Sequence, residues 1–274
     1  MAAQAPYPCV VKPVNLNGSR GPYACRHAGR TVARTLAGAL ARGGSAGGGA
    51  LHVSGGRFHS RPEVALEGLL DDGRLIVLAL FDKPDPLDGP FFEETIYVTP
   101  SRFPDDVQAA IARCVEDAAR LKLRTGPVHA EPRDNDAGRG CSRWPVVPSA
   151  DSVRTLRFGV DASLEELILR QACGLPLPST QRAGRASGVM MIPIPAAGVL
   201  QRVDGVDAAR AVPGIEGVEI TAKLHYGLTP LPEGDAYLGF IFARGDAPAT
   251  VEDALRLAHR QLHFTILPEF SLGA

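Results

Sequence analysis

The pattern of apolar and polar positions divides the chain into segments of ordinary structure and segments without a sustained period. A short apolar run at residues 9–11 is followed by Lys12, Pro13 and a polar loop that ends at Gly21. This pattern predicts a strand and then a flexible loop. Residues 22–61 are rich in Gly, Ala and Arg, contain almost no acidic residue and show no apolar period, so they predict no regular element.

From Pro62 onward the pattern predicts alternating strands and helices. The segment PEVALEGLLDDGRLIVLALFDKP alternates and then runs apolar around Asp-Asp-Gly, which predicts two adjacent strands joined by a tight turn. FFEETIYVTPSRFP predicts another strand that ends at Pro100. The next segment, PDDVQAAIARCVEDAARLKL, has apolar residues at helical spacing and two aspartates in its first turn, and it predicts an amphipathic helix.

The remaining segments predict a helix and then a small α+β unit. SLEELILRQACGLPLP predicts a helix capped by Ser163, with Glu166 three residues later. Beyond it, GVMMIPIPAAGVL, VDAARAVPGIEGVEITA, AYLGFIFARGD and TVEDALRLAHRQLHFTIL predict strand, short helix, strand, strand, helix and strand. This order indicates a split βαβ unit, and Met190 and Met191 are expected in its core.

Composition and charge narrow the functional classes. A net charge of −1 over 274 residues gives no electrostatic reason to expect a nucleic-acid partner. No apolar run approaches the roughly 20 residues of a membrane span, and the first residues lack the pattern of a secretory signal. We therefore expect a cytoplasmic protein with neither nucleic-acid nor membrane partners. Five widely spaced cysteines without a CxxC pair do not suggest a disulfide framework or a thiolate zinc site.

Two segments carry candidate chemistry for a nucleotide and its metal. Lys12 precedes a small polar loop made of Gly18, Ser19, Arg20 and Gly21. A lysine can meet one phosphate while the N–H groups of such a loop approach others; because the spacing differs from that of a P-loop, a plain surface loop is the alternative. The segment VHAE places Glu131 on a strand, either as a metal ligand or in an ordinary salt bridge.

Other polar residues near these segments receive weaker assignments. His129 fits a packing role, or a hydrogen bond to a metal ligand, better than the role of a general base. Asp82, Asp85 and Asp88 are spaced by prolines and lack the glycine and final glutamate of a calcium loop, so they predict a turn-rich loop. The adjacent pair of glutamates in FFEET is expected near the cleft without an assigned role.

Six segments in this order resemble the ATP-grasp ligases, in the branch of the L-amino-acid ligases and the biotin-carboxylase-like carboxylate ligases. They are YPCVVKP with GSRG, PEVALEGLL, FDKPDPLDGPFFEET, GPVHAE, SLEELILRQACGLPLP and YLGFIFARGD. The resemblance implies an α+β, ATP-grasp fold in which two lobes grip ATP. Residues 1–61 and 62–180 would form the lobes, and residues 181–274 a C-terminal α+β subdomain.

The same resemblance implies an activity and a set of site residues. In this family ATP phosphorylates a carboxylate to an acylphosphate, and an amine or other nucleophile then displaces the phosphate. It implies that Lys12 contacts phosphate, that Gly18 to Gly21 form the mobile lid loop, and that Glu131 is a ligand of Mg²⁺. ATP, Mg²⁺ and a small-molecule carboxylate are the expected ligands. The alternative is an inactive remnant whose C-terminal unit mediates association, for example in a homodimer.

The sequence also departs from the family pattern. In the family, the HAE strand is followed by a second metal-binding Glu, an Arg and a Gly pair, whereas this chain has SRWPVVPSADSVRTL. The hinge segment before Pro62 also differs from the family pattern. In addition, the chain starts almost at the phosphate-binding strand. Residues 149–154 can be encoded so that a one-nucleotide shift reads Ile-Gly-Gly-Leu-Cys-Ala, which suggests compensated frameshifts; a divergent relative is the alternative. We expect residues 26–56 and 134–152 to be the least regular parts, and the strand of Glu131 to lack its usual neighbour.

Overall fold

The structure is a computed structural model. It describes residues 9–13, 23–25, 53–57, 62–86, 93–119, 123–133, 140–143, 154–231, 233–234 and 236–268. The loop from Gly18 to Gly21, Asp88, and most of the two stretches expected to be irregular lie outside these described residues.

The N-terminal described segments form a small antiparallel sheet. Its strands are β1 (Cys9–Pro13), β2 (Tyr23–Cys25) and β3 (Val53–Arg57), in the order β2-β1-β3. Strand β3 pairs with β1 along its whole length, from Arg57 opposite Cys9 to Val53 opposite Pro13. The prediction of irregular structure up to residue 56 is therefore wrong for residues 53–56. Pairing with β1 uses backbone groups, which the two glycines of this segment supply as well as any other residue.

The centre of the described fold is a larger antiparallel sheet with helices packed on it. Its strands are β4 (Val64–Asp71), β5 (Arg74–Asp82), β6 (Ile96–Thr99), β7 (Gly126–Arg133), β8 (Gly140–Arg143), β9 (Ala186–Ile192), β11 (Ile215–Ile220) and β13 (Gly239–Gly245). Within the described ranges they form one eight-stranded sheet in the order β11-β13-β9-β6-β5-β4-β7-β8. The other elements are β10 (Gly198–Asp204), β12 (Gly227–Leu228), β14 (His263–Leu267), α1 (Asp105–Ala119), α2 (Leu164–Ala172), α3 (Val206–Arg210) and α4 (Pro248–Gln261).

The predicted hairpin is confirmed, and it contains an irregularity that matters for the site. Strands β4 and β5 pair around a two-residue turn in which Asp72 (φ 46°) and Gly73 (φ 83°) are both left-handed, as a tight hairpin of this twist requires. Near the turn the ladder is regular. It then passes from the pair Gly68–Val77 to the pair Glu67–Ala79, so that Leu78 is an extra residue in β5. This β-bulge shifts every later pair by one residue.

The predicted helices on the central sheet are also confirmed. Helix α1 buries Ile111, Val115 and Ala119 against apolar residues of β4, β5 and β7. Helix α2 begins at Ser163, whose hydroxyl oxygen accepts a hydrogen bond from the backbone N–H of Glu166 at 3.2 Å, so the predicted cap is present. Among the described residues, no helix combines the length and the apolar character needed to cross a membrane.

The C-terminal unit follows the predicted order with two corrections: one predicted strand is divided into two, and the two-residue strand β12 is additional. The single strand predicted over GVMMIPIPAAGVL is two strands: β9 joins the central sheet, whereas β10 pairs with β12 and β14 in a second sheet. Pro193 and Pro195 lie between them, and proline interrupts a strand ladder because it has no N–H to donate. Met190 and Met191 are buried, as predicted. The domain boundary predicted between residues 180 and 181 stays a prediction. Strands that precede it and strands that follow it both belong to the central sheet.

The strand that carries Glu131 has a neighbour, contrary to the prediction. Strand β8 pairs antiparallel with β7, with Arg143 opposite Glu131 and Gly140 opposite Arg133, and the register shifts between Glu131 and Pro132. The prediction is wrong because it required an apolar face from residues 138–148. An edge strand needs only backbone N–H and C=O groups to pair, and Gly140 to Arg143 provide these.

Candidate active site

Lys83 lies at the centre of three carboxylates. Its Nζ atom donates hydrogen bonds to Oε1 of Glu63 at 2.6 Å, of Glu131 at 2.7 Å and of Glu94 at 2.9 Å. The side chain of Lys83 is 3% exposed, and those of Glu63, Glu131 and Glu94 are 7%, 5% and 18% exposed. Oxygens of the three carboxylates lie within 4.8 Å of one another. We call these four residues the Lys83 cluster.

The hairpin and its two neighbouring strands position the Lys83 cluster. Glu63 directly precedes β4 and Lys83 directly follows β5. Beyond the bulge Val64 pairs with Asp82, and the same register places Lys83 opposite Glu63. Glu131 reaches the cluster from β7, which pairs with the other edge of β4. Glu94 comes from the segment before β6, which pairs with β5. Four neighbouring segments therefore meet at one end of the sheet.

A second set of buried groups holds these carboxylates in place. The Nε of Arg133 donates to Oε2 of Glu63 at 2.6 Å. The hydroxyl of Tyr97 donates to Oε2 of Glu94 at 2.7 Å, and the ammonium of Lys83 lies 4.8 Å from the centre of the Tyr97 ring. The cluster is thus oriented by a guanidinium, a phenol and an aromatic face, all from strands of the central sheet.

His129 connects Glu131 to a further buried carboxylate. Its Nδ1 lies 2.7 Å from Oε1 of Glu67, and its Nε2 lies 3.7 Å from Oε1 of Glu131. Burial alone lowers the pKa of His129, but the hydrogen bonds to Glu131 and Glu67 and the charges of both carboxylates outweigh it and raise the pKa from 6.5 to about 9. His129 is therefore positively charged at neutral pH. The role predicted for His129, packing or a hydrogen bond to a metal ligand, stays a prediction.

Burial and the neighbouring charges also shift the pKa values of Lys83, Glu131 and Glu94. Burial lowers the pKa of Lys83, but Glu94, Tyr97, Glu131 and Glu63 together hold it well above its usual value, so Lys83 is an ammonium. Burial raises the pKa of Glu131, but Lys83 and His129 hold it well below its usual range. For Glu94, burial and the charge of Glu131 outweigh Lys83, and its pKa is raised.

The charge on His129 predicts a specific pH dependence of stability. Because the pKa of about 9 in the folded chain exceeds the unfolded value of about 6.5, the contribution of His129 is fully present below pH 6.5 and is lost as the pH rises to 9. The difference corresponds to about 3 kcal/mol in the free energy of unfolding. Urea unfolding of the native chain and of His129→Asn between pH 6 and 9.5 measures it. Parallel pH profiles for the two proteins would contradict the charged state of His129.

Family models match the part of the chain that contains this site. An ATP-grasp domain matches residues 60–142, and the L-amino acid ligase C-terminal domain 2 matches residues 190–266. The structure is similar to that of an L-amino acid ligase from Bacillus licheniformis, with a TM-score of 0.76 and 25% identity. The chain has an ATP-grasp fold. The chain covers 66% of the Bacillus chain, which in turn matches 96% of this one.

Two further comparisons support the fold and show how much of each relative the chain covers. One is the biotin carboxylase domain of the Hydrogenobacter thermophilus 2-oxoglutarate carboxylase, solved with MgADP, ADP and bicarbonate. Its TM-score is 0.67 at 19% identity, and the match covers 97% of this chain and 59% of that one. This similarity supports the fold alone. The uncharacterized protein y4rH of Sinorhizobium fredii is 24% identical over 98% of this chain. The chain spans 55% of the length of y4rH.

The structure brings together only part of the predicted ATP-grasp site. Glu131 lies in the Lys83 cluster. The backbone of Lys12 lies in β1, opposite Ser54, but its side chain is not among the described parts, and Gly18 to Gly21 lie outside the described residues. The assignment of Lys12 and of this loop to the phosphates of ATP therefore stays a prediction.

The sequence analysis missed Lys83, Glu63 and Glu67 as site residues and gave Glu94 no role. The sequence did contain a signal for Glu63 and Lys83, because the predicted hairpin places residues near 63 and 83 side by side at its open end. The bulge at Leu78 could not be predicted from the sequence. Without it, a regular ladder would place Asp82 rather than Lys83 opposite Glu63.

Helix α4 anchors the loop that carries Lys83. Arg256 of this helix binds Asp85 at 2.6 Å. Arg102 binds Asp82 at 2.8 Å and also Glu252 of α4 at 3.1 Å. The loop predicted from its prolines and aspartates is thus held on both sides of Lys83 by ion pairs to half-buried arginines. Since α4 belongs to the C-terminal unit, that unit helps to position the cluster.

Proposed function

We propose that the chain works in an ATP-dependent ligase that joins a small-molecule carboxylate, such as an amino acid, to an amine or other nucleophile. The observation that carries this proposal is Glu131, a buried carboxylate at one end of the central sheet, inside the segment that matches an ATP-grasp domain. The similarity to the Bacillus structure, titled L-amino acid ligase, supports the same reaction class. Because the chain spans only part of each relative, the activity and the substrate are proposals.

The proposed reaction has two steps. An oxygen of the substrate carboxylate attacks the γ-phosphorus of ATP, the bond between that phosphorus and the β–γ bridging oxygen breaks, and ADP leaves. The nitrogen of the amine then attacks the acyl carbon of the acylphosphate. The bond from this carbon to the phosphate oxygen breaks, inorganic phosphate leaves, and the amine nitrogen loses a proton. Such transfers depend mainly on positioning and on charge stabilisation.

The residues of the site fit the magnesium ion that this reaction class uses. Carboxylate oxygens are the ligands that Mg²⁺ prefers, and Glu131 has two further carboxylates within 4.8 Å. Bound beside ATP, the ion would neutralise charge on the phosphate oxygens. In this proposal Glu131 holds the metal and His129 orients Glu131. Lys12 and the loop of Gly18, Ser19, Arg20 and Gly21 hold the phosphates.

One observation favours a second candidate, a binding module without catalysis. Strand β8, the neighbour of Glu131, consists of Gly, Cys, Ser and Arg and contributes no carboxylate. Mg²⁺ requires nearly octahedral oxygen coordination, so the absence of an acidic residue from this strand weakens metal binding there. In this second reading the C-terminal unit mediates association, for example in a homodimer.

An ATP hydrolysis assay separates the two candidates. The full chain is incubated with ATP and Mg²⁺ in the presence of individual amino acids and other small carboxylates, and ADP formation is followed with and without an amine. ADP formation that requires both Mg²⁺ and a carboxylate supports the ligase. A folded chain that forms no ADP with any member of the set supports the binding module.

Replacing Lys12 with methionine tests the phosphate assignment. A charge-assisted contact to phosphate contributes about 1.5–3 kcal/mol, so ATP should raise the melting temperature of the Lys12→Met variant much less than that of the native chain. Thermal unfolding with and without ATP measures the difference. If ATP stabilises both proteins equally, Lys12 does not contact the phosphates.

A further inference from the structure

Lys83 occupies the place beside Glu131 where a metal cation is expected. Its ammonium lies 2.7 Å from Oε1 of Glu131 and also contacts Glu63 and Glu94. A divalent cation on the same face of Glu131 would lie about 2 Å from its oxygen. Two cations held that close together in a buried site repel each other strongly. The ammonium and the metal therefore exclude each other at this oxygen.

We propose that Lys83 is a built-in counter-ion that competes with the divalent cation for Glu131. In the chain without nucleotide, Lys83 forms ion pairs with Glu63, Glu94 and Glu131, and its side chain must leave Glu131 before a metal binds there. This inference rests on the role of Glu131 in the proposed function. It adds a residue that controls when the metal site is available.

The side chain of Lys83 is suited to such an exchange. Three carboxylates within 4.8 Å of one another are unstable in a buried site without a cation, because like charges repel strongly where water is excluded. Lysine supplies a compact charge on a flexible four-carbon stem. Glu94, at 18% exposed, is the most accessible carboxylate of the cluster and marks the open side.

Metal titration of the full chain without nucleotide tests the competition. The melting temperature is measured with 0 to about 10 mM MnCl₂ or MgCl₂ for the native chain, for Lys83→Met and for the matched control Lys223→Met, which changes an exposed lysine. We expect almost no metal-dependent shift in the native chain and the control. In Lys83→Met we expect a rise of about 5 °C or more at saturating metal. Adding Glu131→Gln to Lys83→Met should remove this rise.

Two results would overturn the proposal. One is a metal-dependent shift in the native chain as large as that in Lys83→Met. The other is a Lys83→Met variant that folds and shows no shift. If Lys83→Met does not fold, the same titration is made on the double variant Lys83→Met/Glu94→Gln, which carries one carboxylate fewer and keeps Glu131. The same two results then decide the question for the double variant.

The test is independent of catalysis. A metal-dependent shift in Lys83→Met from a chain that forms no ADP would support the competition and contradict the proposed ligase. Carboxylate-dependent ADP formation together with equal metal responses of native and variant chains would support the ligase and contradict the competition.

Discussion

Replacing Glu131 with glutamine is expected to lower carboxylate-dependent ATP turnover by about 100-fold or more. Glutamine keeps the size of the side chain but removes the charge that a Mg²⁺ ligand supplies. A 100-fold loss corresponds to about 3 kcal/mol of transition-state stabilisation, which is the scale of a metal contact to a reacting phosphate. ADP formation at saturating ATP and Mg²⁺, with a carboxylate that supports turnover in the native chain, measures the effect.

The matched control for this variant is Glu165→Gln, which makes the same change at an exposed position in α2. It should keep the native turnover. Both variants are first checked for folding by urea unfolding, because Glu131 also balances Lys83 and His129. A folded Glu131→Gln variant with turnover within threefold of the native chain would remove Glu131 from the list of metal ligands.

Replacing Lys83 with methionine is expected to lower the free energy of unfolding by about 3–5 kcal/mol at pH 7.5. The side chain is 3% exposed, and removing it takes away the positive charge that lies between three buried carboxylates. Without the charge of Lys83, burial and the charges of neighbouring carboxylates favour the protonated forms of Glu94 and Glu131 in the folded chain. Folded pKa values above the unfolded ones favour folding at low pH, so the loss should shrink as the pH falls toward 5.

Urea unfolding of the native chain, Lys83→Met and Lys223→Met at pH 5, 6 and 7.5, all without metal, measures this effect. The control at the exposed Lys223 should differ from the native chain by less than about 0.5 kcal/mol. A loss below about 1 kcal/mol for Lys83→Met at pH 7.5, or a loss that grows toward pH 5, would show that Lys83 does not neutralise the cluster.

The sequence predicted the elements of the central fold because their signals are local. Alternation around Asp-Asp-Gly predicted the hairpin, and Ser163 with Glu166 predicted the start of a helix. Each of these depends on residues fewer than about ten positions apart. The family resemblance then supplied the arrangement of these elements, and the models for residues 60–142 and 190–266 agree with it.

The Lys83 cluster could not be predicted in the same way. It joins Glu63, Lys83, Glu94 and Glu131, which come from four segments and meet only through strand pairing. Which side chains meet depends on the register, and a change of one residue turns each side chain to the other face of the sheet. The resemblance drew attention to Glu131, since that residue stands in a family motif. Lys83 and Glu94 also stand in one of the segments that carry the resemblance, but no role had been attached to either residue.

The hypothesis of compensated frameshifts concerns segments that lie mostly outside the described residues. Where the structure describes them, residues 53–57 and 140–143 form paired strands. The nucleotide sequence of the gene decides the question. If the shifted frames encode neither a Glu and an Arg after VHAE nor an acidic hinge before PEVALEG, the hypothesis fails.

The bulge at Leu78 has a further consequence for the register in which β4 and β5 pair. A bulge-free hairpin with the same turn would gain a regular ladder and would place Asp82 directly opposite Glu63. Like charges directly opposite each other destabilise a strand pair, and in that mispaired hairpin Lys83 would point away from the carboxylates. The charges at the open end therefore disfavour the regular register and favour the one in which Lys83 lies beside Glu63.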